Sequence, residues 1–395
     1  MAAESKSQNS SLTSSNENHF FKIATLNCWA IPQPWPIGSK HRKLRIGKLI
    51  EALGACECNY DVVTLQELWS EDDFLLIAHQ VAEKYPYSHY FHSGFTGSGT
   101  AIISQYPITS TLLHRYSLNG FAHHIHRGDW FGGKIVGMAE VTIGDLKVSI
   151  YTTHLHAEYN RKNDLYLPHR ISQCYELAQF VRHTSLGADF VVLTGDFNIE
   201  PNDLGYHLVV NIAQLSDAWE CRPNRDAPES FCAGMTCDRP DNCFTSPSVL
   251  KDSPQGKRLD YIMFQSRRVG LEVKECKNCF GQIESMDKPM NYSDHDGLCA
   301  TFLMKADPPT ESSSDRRSQS SVDRRLFLAL CFILFALLVA TLNIESSFPY
   351  LFVVVAIIRF VSTFSLWHGF IGLTIEMKAL KETKFSMRKI LRAIT

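Results

Sequence analysis

Two long apolar runs close to the C-terminus constrain this chain more than any other feature of it. Leu326–Leu342 carries no charge over 17 residues, and Phe348–Ile375, 28 residues long, is interrupted by Arg359 and His368. Crossing the hydrocarbon core of a bilayer takes about 20 predominantly apolar residues of helix, so each run is near the required length. A buried helix of a soluble fold is the alternative for the first run. The preceding segment argues against that, because 306–323 reads ADPPTESSSDRRSQSSVD, a Pro/Ser- and charge-rich flexible linker that cannot continue a core. A two-helix transmembrane hairpin over 324–376 is therefore expected. Arg316, Arg317, Arg324 and Arg325 precede it, Lys378, Lys381, Lys384, Arg388, Lys389 and Arg392 follow it, and the connecting Asn343–Ser347 has neither Lys nor Arg. Positive residues stay on the cytosolic side, so both termini, including a basic tail over 377–395, are expected there.

Setting that segment aside changes the charge balance. The whole chain has 39 Lys+Arg against 41 Asp+Glu, but from Ser312 onward there are 11 basic and 5 acidic residues, leaving 28 against 36 before it. An acidic body argues against an enzyme of nucleic acid, which needs a dense basic surface to neutralise phosphates. Residues 1–19 are Ser/Asn/Glu-rich and offer almost no apolar area, so they are expected to form a disordered leader. They also lack a secretory signal, which places the body in a reducing compartment. The 12 cysteines are accordingly read as thiols. Cys276 and Cys279 form a Cys-x-x-Cys, and Cys221, Cys232, Cys237 and Cys243 share a loop-like stretch, but the irregular spacing and lack of a His pair speak against zinc.

Between leader and linker, over 20–305, short strand-like runs alternate with helical ones. The strand-like runs are Phe21–Leu26, Val62–Leu65, Thr100–Ile103, Val136–Ile143, Val148–Thr153, Phe190–Leu193, Tyr261–Phe264 and Cys299–Met304. Lys43–Ala55 carries apolar residues at helical spacing, and Pro168–Thr184 opens with proline, a favoured first-turn residue. Adjacent strands mixed with helix-bearing crossovers predict a mixed α/β sandwich. Polar residues cluster at the strand ends: Asn27 after KIATL, Glu67 after VVTLQ, His154 after SIYTT, Asp196 and Asn198 after FVVLTG, Asp260 before YIMF, and Asp294 with His295 before the last run. Each alone is an ordinary turn residue. Together they supply the carboxylates, carboxamides and imidazoles needed to hydrolyse a phosphate ester with a hard divalent ion.

In this order and spacing, TLNCW, LQELW, THLHAEYN, GDFNIEP, RLDYIMF and YSDHDG resemble the magnesium-dependent endonuclease/exonuclease/phosphatase superfamily. GDWFGGK, the extended THLHAEYNRKNDLYLPHR and the C-terminal hairpin narrow the resemblance to the neutral sphingomyelinases of the type 2 kind. The resemblance covers roughly Phe20–Phe302 and the hairpin, and is weakest over Cys221–Cys243. It implies a four-layer αββα sandwich as the catalytic phosphodiesterase domain. It implies Mg²⁺ held by Glu67 with Asn27 nearby, and Asp294 shaping the metal side. By the same resemblance His295 is the general base, oriented by Asp260; Asp196 and Asn198 position water and a phosphoryl oxygen; and His154 donates to another. Lys134 meets the substrate anion, with Asp129 holding that lysine at rest.

Gly128, Gly133 and Lys134 also fit the spacing of a nucleotide-binding loop. Ile135 stands where that loop needs Ser or Thr, and a strand-like segment follows instead of a helix, so the match fails. A plain surface turn is the other reading of GDWFGGK. The expected function is Mg²⁺-dependent hydrolysis of sphingomyelin to ceramide and phosphocholine by a membrane-embedded protein of the endoplasmic reticulum or another endomembrane. A lysophospholipid substrate such as lyso-platelet-activating factor is the near alternative. A nuclease, an inositol-phosphate phosphatase and a non-catalytic membrane-tethered binding protein are more distant ones, and no nucleic-acid partner is expected.

Overall fold

Two parallel crossovers organise the chain: β1 (His19–Asn27), α1 (Arg42–Gly54) and β2 (Val62–Gln66); then β7 (Leu146–His154), α3 (Leu167–Thr184) and β8 (Phe190–Asp196). Their strands pair in parallel, with Ile23 opposite Val62 and Val148 opposite Phe190. Such strands are covered on both faces, so β2 and β8 are buried at every residue and read in sequence as near-continuous apolar runs. The computed structural model describes residues 19–305 apart from 34–36, 57, 122–123, 125–128, 224–232, 285 and 287, and in addition 356–357, 359–360, 363 and 384. Residues 1–18, the linker and nearly all of the expected hairpin and tail lie outside the described residues. No helix among the described residues is long and apolar enough to cross a membrane.

The remaining strands are β3 (Tyr87–Tyr90), β4 (Ala101–Ser104), β5 (Ile108–Arg115), β6 (Ile135–Ile143), β9 (Ser216–Asp217), β10 (Asp260–Ser266), β11 (Gly270–Cys279) and β12 (Gly297–Lys305). They complete two six-stranded sheets, ordered β11-β12-β1-β2-β4-β3 and β5-β6-β7-β8-β10-β9. Each sheet thus carries a central parallel pair flanked by antiparallel strands. Phe21, Ile23, Ile102, Ile150, Phe190, Val192, Ile262 and Phe302 fill the space between them. Ile46, Leu49 and Leu53 of α1, with Phe74 and Ile77 of α2 (Glu71–Gln80), cover the outer face of the first sheet. Cys174, Leu177 and Val181 of α3, with Val209 of α4 (Leu204–Ala213), cover that of the second. The result is a two-sheet α/β sandwich with helices on both outer faces, the fold class expected from the sequence.

Five elements of ordinary length were not legible from the sequence. In α2, Leu75 and Leu76 face solvent beside the buried Phe74 and Ile77, which blurs its apolar stripe. Its start is nonetheless encoded: the Ser70 side chain accepts from the Asp73 amide, and Glu71, Asp72 and Asp73 occupy the first turn. The strands β3, β5 and β11 lie at or beside sheet edges, where the exposure of β5 shows no alternation. The helix α4 is short and follows a proline-containing loop.

Candidate active site

At one end of the sandwich the C-terminal ends of β1, β2, β7 and β8 meet the starts of β10 and β12. Register brings the side chains together: His154 pairs with Asp196 across β7 and β8, and Asp260 with Asp196 across β10 and β8. Beneath them the sheets are joined by polar contacts, Thr64 Oγ1 to Thr194 Oγ1 at 2.8 Å and Gln66 Nε2 to Thr152 Oγ1 at 3.0 Å. Two of the converging residues, Glu67 (φ 53°) and Asn198 (φ 49°), hold the left-handed backbone conformation that non-glycine residues seldom adopt. Such strain is typically concentrated at functional positions.

The Asn27 amide nitrogen donates to Glu67 Oε1 and to Asp196 Oδ2, each at 3.0 Å. Its oxygen accepts from the Trp29 amide, so in this arrangement Asn27 bridges the two carboxylates. Asn198 donates its backbone N–H to Asp196 Oδ1 at 2.9 Å and its side-chain amide to Leu155 O at 3.0 Å. His295 Nδ1 lies 2.8 Å from Asp260 Oδ2, both side chains being buried. Lys134, 1% exposed, is surrounded by Asp129 Oδ1 (2.9 Å), His154 Nε2 (2.9 Å) and Leu155 O (2.8 Å), which use its three donors. With Nε2 accepting from Lys134, His154 carries no Nε2 proton in this arrangement. Its Nδ1 is buried without a hydrogen-bond partner.

Residues 24–295 match the Endonuclease/Exonuclease/phosphatase family. The chain belongs to that family. A Caenorhabditis elegans chain provisionally named neutral sphingomyelinase is 47% identical over 404 residues, covering 94% of this chain and 91% of that one. Sphingomyelin phosphodiesterase 2 of Homo sapiens is 39% identical over 295 residues, covering 74% of this chain and 67% of that protein. Among solved structures, SmcL superposes with a TM-score of 0.51 at 20% identity, covering 72% of this chain and 99% of that one. A Staphylococcus aureus beta toxin double mutant with bound magnesium ions gives 0.52 at 18% identity, over 71% of this chain and 99% of the toxin. The solved structures share the fold, and the curated relatives place the chain among the neutral sphingomyelinases, as a phosphodiesterase-type hydrolase.

Burial, and then Asp294, raise the Glu67 carboxyl; burial, and then Asp260, push Asp196 up to about 7. Asp294 is raised as well, mainly by burial. Several carboxylates therefore crowd a site that disfavours their charge, which is the electrostatic condition for binding a divalent cation. Glu67, His154 and Asp196 each turn one ligand atom into a common space, all within 4.8 Å of one another. The donor set thus fits a divalent metal. It groups Glu67 with Asp196 and His154; Asn27 donates to both carboxylates, and Asp294 stands close enough to raise Glu67. Burial and Lys134 hold His154 far below its ordinary range, keeping it neutral. Burial opposes the charge on Asp129, but Lys134, His156 and the Tyr159 hydroxyl outweigh it and hold that carboxyl well below the usual range.

For His295, burial lowers the pKa while Cys237 and Asp260 raise it, with a net shift well upward. The Cys237 thiol is itself pushed up to about 11, mainly by burial, so near neutral pH it is uncharged and Asp260 remains the partner that holds the imidazolium. Sequence reasoning missed the support behind this pair. Thr236 Oγ1 accepts from the Leu259 and Asp260 amides at 3.1 Å each, and Cys237 bridges to His295 through the backbone. The stretch that matched the family pattern least therefore backs the His295–Asp260 pair, and Cys237 and Cys243 within it are free thiols. Arg45 was also missed. Buried in α1, it donates to Cys28 O (2.8 Å), Trp29 O (2.6 Å), Lys40 O (2.9 Å) and Tyr292 O (2.8 Å), tying the loop after β1 to the loop that carries Asp294 and His295. Its apparent place in a helical pattern gave no sign of this.

Proposed function

We propose that the protein hydrolyses sphingomyelin to ceramide and phosphocholine at a membrane surface, using Mg²⁺. The observation that carries the chemistry is the convergence of the His295–Asp260 pair and Lys134 on one buried carboxylate cluster. The choice of substrate is supported by the relatives named sphingomyelin phosphodiesterase 2.

His295 donates Nδ1–H to Asp260 Oδ2; the carboxylates around it favour the imidazolium in the metal-free site, and once a bound cation offsets their charge and the ring gives up its second proton, Nε2 can take a proton from the attacking water. The Asp260 charge then steadies the imidazolium. Asn198 orients Asp196 through two hydrogen bonds, one from its backbone N–H and one from its side-chain amide. Lys134 meets the phosphodiester anion by giving up Asp129, which keeps the Tyr159 hydroxyl as a partner. Loss of the lysine's contact also frees His154 Nε2. Glu67 and Asp196 would hold a divalent cation, which when bound would neutralise charge developing on the phosphoryl oxygens.

The C-terminal apolar runs serve in this reading as the anchor, with body, linker and tail cytosolic and the membrane that of the endoplasmic reticulum or another endomembrane. An 18-residue linker reaches roughly 25 Å, keeping the body beside its lipid. The test is turnover of radiolabelled sphingomyelin and of lyso-platelet-activating factor in mixed micelles, with Mg²⁺ or EDTA. Ceramide release that requires Mg²⁺ is expected. Preferential cleavage of the lysolipid would overturn the substrate, and full activity in EDTA the metal.

A further inference from the structure

Phe95 is 90% exposed, the most exposed of the large apolar side chains among the described residues. It sits between β3 and β4. Since β4 runs antiparallel to β2, its start lies at the end of the sandwich where β2 delivers Glu67. The loop is not a loose excursion. Phe95 N and Thr96 N donate to Phe131 O at 3.2 and 3.3 Å, Gly133 N donates to Gly97 O at 3.1 Å, and Gly94 bridges Gly132. A Cβ on Gly94 would fall 2.2 Å from Gly133 N, and one on Gly133 2.2 Å from Gly94 N, so the two loops clasp at a distance that only glycine allows. The second loop carries Trp130 and Phe131, both partly buried and edge to face at 5.1 Å. Asp129 and Lys134 flank these rings, and the indole of Trp69 lies under Gly132 and 6.3 Å from His154.

We infer that the clasped loops carrying Phe95, Trp130 and Phe131 form a rigid wedge that enters the interfacial layer of a lipid bilayer and seats the active-site mouth on it. A bilayer is the occupant because the rings stand beside the groups that meet a phosphodiester, and tryptophan and phenylalanine on one face are the composition of a membrane-interface anchor. Exposed apolar side chains scattered singly need no explanation, but Ile37 at 76% also lies at this end, in the loop after β1. The inference deepens the reading above and rests on it for why a bilayer is met. Its consequence is distinct from the C-terminal anchor: the anchor sets where the body is, and the wedge sets its orientation.

The experiment uses the full chain reconstituted into phosphatidylcholine vesicles that lack sphingomyelin, with Phe95→Trp as the probe. Leu186→Trp is the control, because Leu186 is 70% exposed in the turn before β8, at the opposite end of the sandwich. Relative to wild type, the added tryptophan at 95 should emit to the blue and be quenched by brominated phosphatidylcholine, while that at 186 should be quenched by iodide and not by bromine. Equal bromine quenching at both positions, or none at 95, overturns the wedge whatever the substrate is. In a second measurement, Phe95→Ser should lower turnover of vesicle sphingomyelin about tenfold, the scale set by burying one aromatic ring, and leave a water-soluble phosphocholine ester unchanged. Phe95→Leu should restore the vesicle rate. Equal loss on both substrates would assign Phe95 to the catalytic fold and refute the inference; no turnover of sphingomyelin by wild type would refute the substrate reading alone.

Discussion

Replacing Asp196 by asparagine should make the metal-free protein more stable above neutral pH while abolishing turnover. Its carboxyl is pushed up to about 7 by burial and the neighbouring Asp260, against about 3.9 in an unfolded chain. The folded state then holds a proton that the unfolded state releases, so stability is full below about pH 4 and is lost as the pH rises through about 7. Linkage gives a loss of about 1.5 kcal/mol by pH 5 and about 4 kcal/mol by pH 8. Asparagine carries none of it. It does place an amide NH2 where Asn27 and Asn198 already donate, and one unsatisfied contact of this kind costs about 1–3 kcal/mol. The variant should therefore be level with wild type or slightly weaker at pH 5, and about 1–3 kcal/mol more stable at pH 8. The assay is thermal unfolding of the detergent-solubilised full chain in EDTA. The pH-dependent part, about 2.5 kcal/mol, corresponds to about 5–10 °C in a domain of this size. Adding Mg²⁺ should raise wild type and not the variant. An offset between variant and wild type that is the same at both pH values would refute the reasoning.

Lys134→Ala should lower kcat with little change in Mg²⁺ dependence and should also destabilise the body by about 3–5 kcal/mol, because Asp129 is left as a buried charge; adding Asp129→Ala should recover much of the lost melting temperature but not the rate. Retained activity in the single variant would return this lysine to a structural role. In the metal-free protein the His295 imidazole should titrate above 6.5 by NMR, and Asp260→Asn should bring it down; the stability from the pair is full below about pH 6.5 and is lost as the pH rises through the raised value. An unmoved titration in the variant would show that another group holds the proton. Glycosylation acceptors placed at Ser346 and beyond Ile375 should be modified only at the loop; modification of the C-terminal tail would replace the hairpin by a single span.

The polar strand ends were legible because each terminates a run that is apolar on both faces, as β2 and β8 are. An acidic or amide residue at such a boundary stands out against the pattern. What did not stand out is anything that works through convergence in space. Arg45 and Tyr292 are 247 residues apart, and Thr236 reaches Asp260 from a stretch whose cysteines drew attention away from its threonine. Gln66 and Thr152 were equally hidden, since a polar residue inside an apolar strand gives no sign of which sheet it will face. Residue type also left orientation open. The sequence supplies an asparagine at 27 and a histidine at 154, but only the neighbours decide that the first turns its nitrogen to the carboxylates and the second accepts from a lysine.

These limits share a cause with the chemistry. Glu67, Asp196, Asp260 and the adjacent Asp294 and His295 arrive at four different strand ends, and Lys134 at a fifth, so the charges meet only when the strands are assembled. Local folding rules would keep each carboxylate in water. The two parallel crossovers override those rules by fixing strand ends within one opening, where a left-handed Glu67 and a left-handed Asn198 are held by the rigid sheets below them. The same arrangement that costs stability in the absence of a cation leaves acceptors aimed inward, with little reorganisation left to make when charge develops on a substrate. Stability and catalysis are therefore opposed at Asp196, and a substitution that relieves the first should be sought where it removes the second.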